Sequence, residues 1–290
     1  MALTINTNLS SMLVQSNLTK ATSSLNQAIE RMTTGYKINH ASDNAAGYSI
    51  ARNWEAQLGS LDVAADNAAT GADMLSTLED TYALVSTHVQ RVRDLTEQAA
   101  NGTYATSSRE AIQAEIKARL DEIDRIAANC EFNGIKMMAG TGTQASAGLD
   151  IQVGINSDGN SKIHLDKDLF AAGTVTGLFG NGVTAANLAQ QCAGLADGTT
   201  AASKLGTIDT VIKKISNRIT TLGAAQNRLE SAIESIGVQS ENITSSLSTL
   251  RDADVATESS KYIQAQILQQ ASATLLATAN QTPSIALNLL

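Results

Sequence analysis

The feature that most constrains the fold is a seven-residue apolar repeat towards the C-terminal end of the chain. Large aliphatic residues occupy every seventh position, at Ile208, Ile215, Leu222, Leu229, Ile236, Ile243 and Leu250. A companion row four residues later holds Ile212, Ile219, Ile233 and Leu247, with the polar residues Gln226 and Ser240 between them. A helix of that length runs about 65 Å and cannot bury its apolar stripe within itself. We therefore predict an antiparallel bundle in which other long helices cover this one.

A second seven-residue repeat lies in the N-terminal half. It recurs without a miss at Trp54, Leu61, Ala68, Leu75, Tyr82 and Val89. Asn101 and Gly102 end it, because both residues favour turns, and a third amphipathic helix is predicted over residues 107–128. Aromatic residues make up only 3% of the chain, which has one proline. Together these features predict long uninterrupted helices packed through aliphatic side chains.

One stretch between the helical patterns alternates apolar and polar residues, as a half-buried strand does. Its apolar face holds Leu149, Ile151, Val153 and Ile155, and Ile163 and Leu165 follow after a polar turn. This alternation predicts a β-hairpin, and residues 181–204 are expected to form a compact irregular connection with one short helix around Cys192. The predicted fold class is mainly α: a long antiparallel helical bundle or coiled coil with a small β-hairpin.

Both ends of the chain are amphipathic and uncharged. Residues 1–19 and 262–290 contain no Asp, Glu, Lys or Arg. Near the N-terminus apolar residues follow steps of four and three, at Val14, Leu18, Ala21, Leu25, Ala28 and Met32. Near the C-terminus a similar stripe holds Ile263, Ile267, Ala271 and Leu275. We predict that these stripes pair with each other and form the seams of a self-assembling subunit, because identical copies are the simplest cover for them.

The terminal helices are expected to gain most of their stability from assembly. Burying a Leu or Ile side chain contributes roughly 1.5–3 kcal/mol, whereas ordering the backbone costs about 1–2 kcal/mol per residue. Our hypothesis is that both ends are disordered in the free monomer and become ordered when neighbouring copies cover them. Amide-exchange protection of residues 1–40 in dilute monomer would contradict it.

Charge and hydropathy exclude several classes of protein. The net charge is −8, the pI is about 4.9, and no basic cluster is present, so we predict no nucleic-acid binding. No apolar run approaches the roughly 20 residues that span a membrane, so we predict no membrane insertion. The first residues lack the basic start and compact apolar core of a cleaved signal peptide.

No catalytic, cofactor-binding or metal site is predicted. The histidines His40, His88 and His164 are far apart, and none lies in an HExxH motif, which would provide two zinc ligands and a base on one helix face. Cys130 and Cys192 lack metal-ligand spacing; we expect buried thiols, although a disulfide between them stays open. The chain has neither a GxSxG motif nor a phosphate-binding GxxxxGK[ST] loop.

Several long motifs, in order, resemble those of bacterial flagellin. They are INTNLSSMLVQSNL, RMTTGYKINHASDNAAGYSIA, VQRVRDLTEQAANGTY, IQAEIKARLDEIDRIA, FNGIKMMAG, LGAAQNRLESAI and LRDADVATESSKYIQAQILQQASATLLATANQ. The resemblance covers almost the whole chain. It implies an extracellular, non-enzymatic subunit of the flagellar filament used for swimming, in a short form without large outer domains.

The resemblance also implies a domain arrangement and a set of partners. Residues 1–45 and 254–290 would be the terminal helices of the filament's inner core. Residues 46–180 and 205–253 would form a surrounding helical bundle with the β-hairpin, and residues 181–204 would replace the variable outer domain. Implied partners are other flagellin copies, a flagellar export chaperone, and the filament cap and hook-junction proteins. Export would use the flagellar type III apparatus, without a cleaved signal peptide.

The motif VQRVRDL resembles the patch that toll-like receptor 5 recognises on flagellins. By that resemblance Gln90, Arg91 and Leu95 on the second helix and Glu115 on the third would contact the receptor. Arg91 would present a planar set of donors and Leu95 an apolar neighbour. The alternative interpretation is that these residues serve filament packing, and the two roles are compatible.

Other interpretations predict different behaviour in solution. A hook–filament junction protein shares the terminal helices, but it would match the central motifs less well. An enzyme displayed on flagellin-like ends would need a catalytic constellation that the sequence lacks. A soluble coiled-coil protein would form a fixed oligomer, whereas a filament subunit would grow without limit through head-to-tail contacts.

Overall fold

Long helices form where the seven-residue repeats predict them. The computed structural model describes residues 7–140, 143–180, 182–196 and 200–288. The helices are α1 (Leu9–Thr34), α2 (Ala45–Ala100), α3 (Thr106–Asn129), α4 (Thr143–Ala147), α5 (Val175–Phe179), α6 (Ala185–Cys192), α7 (Ala201–Arg251) and α8 (Val255–Asn288). The strands are β1 (Glu131–Phe132), β2 (Ile135–Lys136), β3 (Leu149–Gln152) and β4 (Lys162–Leu165). The predicted mainly helical fold class is confirmed.

Local chemistry explains where the first helices begin and end. The Asn8 side chain accepts a hydrogen bond from the Ser11 amide at 3.0 Å and caps the N-terminus of α1. Gly35 ends α1 with a φ of 75°, a left-handed conformation that glycine adopts without a steric penalty. Asn44 precedes α2, and its side chain accepts a hydrogen bond from the Gly47 amide at 3.0 Å. Gly35 and Asn44 therefore mark the two ends of the segment that separates α1 from α2.

Residue contacts divide the chain into two compact units. The terminal unit is Met1–Leu58 with Glu241–Leu290, and the central unit is Gly59–Ser240. The dividing positions lie inside α2 and α7, so both of these helices contribute to both units.

In the central unit α2 and α7 run antiparallel, as the repeats predict. Three side-chain contacts show the direction, because residue numbers fall along α2 as they rise along α7: Arg93 with Asp209, Tyr82 with Arg218, and Glu79 with Gln226. The largest fully buried side chains of this unit include Leu75, Leu78, Tyr82, Leu95, Ile116, Leu120, Ile123 and Phe170. The core is therefore a continuous aliphatic packing with few aromatic rings.

One of the two polar exceptions in the α7 repeat, Gln226, has a partner on α2. Gln226 donates from Nε2 to Oε2 of Glu79 on α2 at 2.9 Å. A second polar contact lies nearer the irregular segment, where Arg218 Nη1 donates to the Tyr82 hydroxyl at 3.0 Å. Burial raises the pKa of Tyr82, and its hydroxyl donates to the Leu169 carbonyl at 3.3 Å. These hydrogen bonds satisfy polar groups that the helical packing removes from water.

The predicted β-hairpin is present but shorter than the alternating pattern. β3 pairs antiparallel with β4, and Leu149 lies opposite Leu165. Ile151 and Ile163 also pair and are both 7% exposed, so they form the inner face. Ile155, which we expected on that face, lies beyond the strand and is 41% exposed. The chain bends after Gln152, so the two-residue alternation no longer decides which way the later side chains point.

A second hairpin was not predicted from the sequence. β1 and β2 are two residues each and pair through a turn at Asn133 and Gly134, whose φ angles are 48° and 78°. An Asn-Gly pair is the preferred sequence for a tight hairpin turn with positive φ at both positions. The signal was thus available in the FNGI sequence, but the strands are too short to show an alternating pattern.

The connection before α7 is compact and partly helical. α6 (Ala185–Cys192) is the short helix expected around Cys192, and it packs on α3. Its side chains Leu188, Ala189 and Cys192 are at most 2% exposed. This segment therefore extends the central core, since its short apolar face lies on the bundle.

Candidate assembly and recognition surfaces

α1 and α8 pack against each other along most of their described length. On α1 the predicted seam faces α8: Ala21 and Ala28 are 7% and 3% exposed, and Val14, Leu18, Leu25 and Met32 are half-buried. Small residues at the closest points let the two backbones approach, so the larger side chains remain at the edges of the contact. The seven-residue spacing on α1 thus identifies the packing face.

On α8 the face that meets α1 differs from the predicted one. The buried residues are Glu258, Ala265 and Ser272, at 5%, 4% and 9% exposure. The predicted seam residues Ile263, Ile267 and Leu275 are instead 54%, 60% and 57% exposed. The expected pairing of the two apolar stripes within one chain is therefore wrong, and an assembly role of these three residues stays a prediction.

A buried carboxylate explains why this face of α8, and not its apolar stripe, meets α1. Glu258 lies 3.6 Å from Arg31 of α1, and its Oε1 accepts a hydrogen bond from Lys261 Nζ at 2.7 Å. The Glu258 side chain is only 6% exposed. A carboxylate removed from water needs a cationic partner, so the face of α8 that carries Glu258 turns towards Arg31. The apolar row on the far side of α8 is left exposed.

Polar contacts extend the pairing towards the chain ends. Asn8 Nδ2 donates to the Ala279 carbonyl at 2.7 Å, and Ser11 Oγ donates to Asn280 Oδ1 at 2.8 Å. These bonds connect the start of α1 to the last third of α8. The terminal helices are thus an antiparallel pair joined by small and polar residues.

Exposed apolar side chains concentrate on this pair. Of the fifteen large hydrophobic side chains found exposed among the described residues, nine lie on α1 or α8. They are Leu9, Met12, Leu13 and Ile29 on α1, and Val255, Ile263, Ile267, Leu268 and Leu275 on α8. Exposed apolar surface concentrated in this way marks an interaction surface rather than ordinary scatter. We call these two sets the terminal apolar rows.

The residues expected to contact the receptor are only partly on the surface. Arg91 donates from Nε and Nη2 to Oε1 of Glu115 at 3.1 and 2.9 Å, so α2 and α3 bring this pair together. Their side chains are 47% and 38% exposed, and Gln90 is exposed beside them. Leu95, however, is 2% exposed and belongs to the bundle core. It supports the patch from inside instead of presenting an apolar neighbour to a receptor.

The two cysteines have the surroundings of buried, unreactive thiols. Cys130 and Cys192 are buried free thiols, and burial raises the pKa of both, which disfavours the reactive thiolate. In the part of the chain that the structure describes, no group of three or more His, Cys, Asp or Glu side chains has the geometry of a metal site.

The long helices carry polar residues along their length. Within the described residues, none of them combines the length and the hydropathy needed to cross a bilayer.

Comparison with known proteins gives this architecture its context. Residues 5–143 match the family model of the bacterial flagellin N-terminal helical region, and residues 205–290 match that of the C-terminal helical region. The 33 kDa flagellar filament core protein of Treponema phagedenis is 33% identical over 292 residues, which cover 99% of each chain. The flagellin of Bacillus subtilis is 35% identical over 305 residues, again covering 99% of each.

Among solved structures, Bacillus cereus flagellin is 28% identical to this chain. The superposition has a TM-score of 0.46 and covers 59% of this chain and 88% of that one.

These matches identify the class of protein to which the chain belongs. A helical protein whose two end regions match flagellin helical regions, and whose relatives align over their full length, is a structural subunit of the bacterial flagellar filament and not an enzyme. The chain belongs to the bacterial flagellin family. Only residues 144–204 lie between the two family regions, so this is a short flagellin without a large outer domain.

Proposed function

We propose that this flagellin polymerises through its terminal helix pair, with neighbouring copies covering the terminal apolar rows. The observation that carries the proposal is the concentration of exposed aliphatic side chains on α1 and α8. Covering Ile263, Ile267 and Leu275 would stabilise the polymer by roughly 1.5–3 kcal/mol for each fully buried side chain. Assembly thereby adds stability to the terminal pair, because few large side chains are buried between α1 and α8 in the single chain.

The shape of the pair favours contacts with several neighbours. α1 and α8 border a groove of about 770 Å³, lined in part by Ala21, Ala28, Ala265 and Leu268. The small residues leave space for a side chain of another copy, and the lining also includes the charged residues Lys20, Arg31 and Lys261. A contact between a groove on one copy and a row on the next is heterologous, and such contacts generate open-ended helical polymers.

The domain arrangement follows from the same proposal. Residues 1–45 and 254–290 form the inner core of the filament, and residues 46–180 and 205–253 form the helical layer around it. Residues 181–204 stand in place of a variable outer domain, so the helical layer itself is the filament surface. The high proportion of large buried side chains in the central unit supports its role as the layer that folds by itself.

The export route and the further partners are proposed from family membership. The chain leaves the cell through the flagellar type III apparatus without cleavage of a signal peptide, and a chaperone holds its C-terminal segment beforehand. Outside the cell it meets the filament cap and the hook-junction proteins. The uncharged stretch 262–290, which carries part of the terminal apolar rows, suits a chaperone that shields apolar surface before assembly.

Recognition by toll-like receptor 5 is a second proposed activity. The paired Arg91 and Glu115 side chains, with exposed Gln90 beside them, form a polar patch that a receptor can contact. Arg91→Ala in monomeric protein is expected to reduce signalling in receptor reporter cells, whereas Arg228→Ala, an exposed arginine on α7, is expected to leave it unchanged. Equal signalling by the two variants would exclude this role for Arg91.

Polymerisation is tested with the full chain and a variant lacking residues 1–40. Each is purified, treated with a precipitating salt, and imaged by negative-stain electron microscopy. We expect long uniform filaments from the full chain and none from the truncated one, although circular dichroism should show that the truncated chain keeps its central helices. Short particles of fixed size from the full chain would contradict the proposal and favour a hook–filament junction protein.

A further inference from the structure

Two linkers lie side by side in the terminal unit. The first linker, residues 35–44, joins α1 to α2, and the second, residues 252–254, joins α7 to α8. Tyr36 of the first pairs with Asp252 of the second in an antiparallel bridge. We call this pair of segments the linker crossing. Both terminal helices leave the long helices at this point, so its geometry determines the directions in which α1 and α8 continue.

Backbone hydrogen bonds fasten the crossing to the end of α7. The Lys37 amide donates to the Arg251 carbonyl at 2.7 Å, and the Ala253 amide donates to the Gly35 carbonyl at 2.8 Å. The first bond uses one of the last carbonyls of α7, which has no partner within the helix. The first linker therefore completes the C-terminus of α7.

The Arg251 side chain connects three elements at the same place. Its guanidinium carbon lies 4.0 Å from the centroid of the Tyr36 ring, and Nη1 makes an ion pair with Glu55 of α2. Only 16% of the Arg251 side chain is exposed. Arg251, the last residue of α7, thus contacts the ring of Tyr36 in the first linker and the carboxylate of Glu55 in the N-terminal part of α2.

Arginine is the residue whose chemistry suits both contacts. A planar guanidinium stacks on an aromatic face while its edge donates to a carboxylate, whereas a lysine ammonium is a single point charge on a flexible stem. Because most of the Arg251 side chain is shielded from solvent, water competes weakly for the ion pair. Replacing arginine by lysine keeps the charge and removes the ability to satisfy both partners at once.

We propose that Arg251 is a positioning residue for filament assembly. It holds the two linkers against the ends of α7 and α2, so that α1 and α8 leave the crossing in one orientation and present the terminal apolar rows together. The crossing is therefore formed in the soluble chain, which departs from the sequence-based expectation that both ends are disordered in the free monomer. Preorganised binding surfaces lose less conformational entropy on association. The inference rests on the proposed polymerisation. It adds a residue that acts by positioning α1 and α8 and that does not belong to the terminal apolar rows.

Four full-length variants test this role. Arg251→Lys keeps the charge, Tyr36→Leu removes the ring, and Tyr36→Phe keeps the ring face that Arg251 covers. Arg228→Lys applies the same substitution at an exposed position of α7 and serves as the matched control. Each variant is compared with wild type by circular dichroism of the soluble chain, by the critical concentration for polymerisation, and by hydrogen exchange at the Lys37 and Ala253 amides.

We expect Arg251→Lys and Tyr36→Leu each to raise the critical concentration about tenfold, because the first weakens a hydrogen bond between charged groups and the second removes a cation–π contact of similar size. Exchange at the Lys37 and Ala253 amides should accelerate in both variants, whereas Tyr36→Phe and Arg228→Lys should match wild type. The double variant with both Arg251→Lys and Tyr36→Leu should be little worse than either single one, because the two residues act through one contact.

Two results would overturn the proposal. One is an Arg251→Lys chain that polymerises at the wild-type critical concentration with wild-type exchange at both amides. The other is a higher critical concentration that is fully accounted for by lost helix content in the soluble chain, which would make Arg251 a general stabilising residue. If wild type itself forms no filaments, the proposed function fails separately, and unchanged amide exchange in soluble Arg251→Lys would then also exclude Arg251 as the residue that holds the crossing.

Discussion

The central bundle and the terminal helix pair have similar apolar spacing, but they place their large apolar side chains differently. In the central unit the repeats bury large side chains such as Leu120 and Ile116, both 0% exposed. In the terminal pair the buried residues are small or polar, such as Ala28 and Ala265, and the large aliphatic residues remain outside. An apolar stripe at helical spacing therefore predicts a buried face, but it does not show whether the same chain or another copy buries that face.

The energetic consequence of this difference is large. A fully buried leucine contributes roughly 1.5–3 kcal/mol, and an alanine only a fraction of that. The terminal pair therefore gains little from its own seam against an ordering cost of about 1–2 kcal/mol per residue. The central unit is expected to fold alone, whereas the terminal pair depends on other copies of the chain.

The largest expected effect is a cavity in the central core. Leu120→Ala should lower the free energy of unfolding by about 2–5 kcal/mol, because the bundle around a fully buried leucine cannot collapse into the space. Leu25→Ala, in the half-buried α1 seam, should cost clearly less in urea unfolding of the soluble chain. Leu84→Ala, at a 49% exposed position of α2, is the control and should change stability by at most about 0.5 kcal/mol. Equal costs for Leu120→Ala and Leu25→Ala would remove the difference between the two regions.

The next largest effect is expected on assembly, with the stability of the monomer unchanged. Ile267→Ser should leave unfolding of the soluble chain nearly unchanged, because this side chain is 60% exposed. Loss of its burial in the polymer should raise the critical concentration about tenfold to a hundredfold. Sedimentation of the polymer measures this, with Leu84→Ser as an exposed-leucine control outside the terminal rows. An Ile267→Ser chain that polymerises like wild type would show that the exposed α8 row is not covered in the filament.

A smaller effect is expected at the polar contact that orients α8. Glu258→Gln removes the carboxylate beside Arg31 and should weaken the terminal pair by about 1–2 kcal/mol. Hydrogen exchange along α8 measures the weakening, and the 54% exposed Lys261, changed to glutamine, is the control with a smaller expected effect. If exchange along α8 does not change in Glu258→Gln, the small residues alone determine which face of α8 meets α1.

The smallest effect is a pH dependence at the two linkers. Hydrogen bonds from the His40 amide to Asp43, and from the Thr257 hydroxyl to Asp254, hold the pKa of each carboxyl below its ordinary value. A lowered folded-state pKa means that the stabilisation is complete above the unfolded pKa and is lost as pH falls through the folded one. The melting temperatures of Asp43→Asn and Asp254→Asn should therefore lie below wild type at about pH 6 and converge with it at about pH 2. Curves that stay parallel over this range would show that these carboxylates do not stabilise the linkers.

Much of the fold could be predicted because its signals are local. The spacing of Leu61, Leu75 and Val89 predicted α2, and the alternation around Ile151 and Ile163 predicted the longer hairpin. The shorter hairpin was missed although Asn133 and Gly134 are a strong turn sequence, since two-residue strands carry no periodicity. In the receptor patch, sequence comparison brought Arg91 and Glu115 together but did not reveal that Leu95 is buried.

The sequence by itself determined the helices, their antiparallel order in the bundle and membership of the flagellin family, because periodicity and long motifs are carried by neighbouring residues. Only the tertiary structure decided which face of α8 meets α1, which partner satisfies Gln226, and how Arg251 joins the linkers. Each of these depends on contacts between residues far apart in the chain. A buried charge or amide must find its partner there, and that requirement overrides the simpler rule that the most apolar face turns inward.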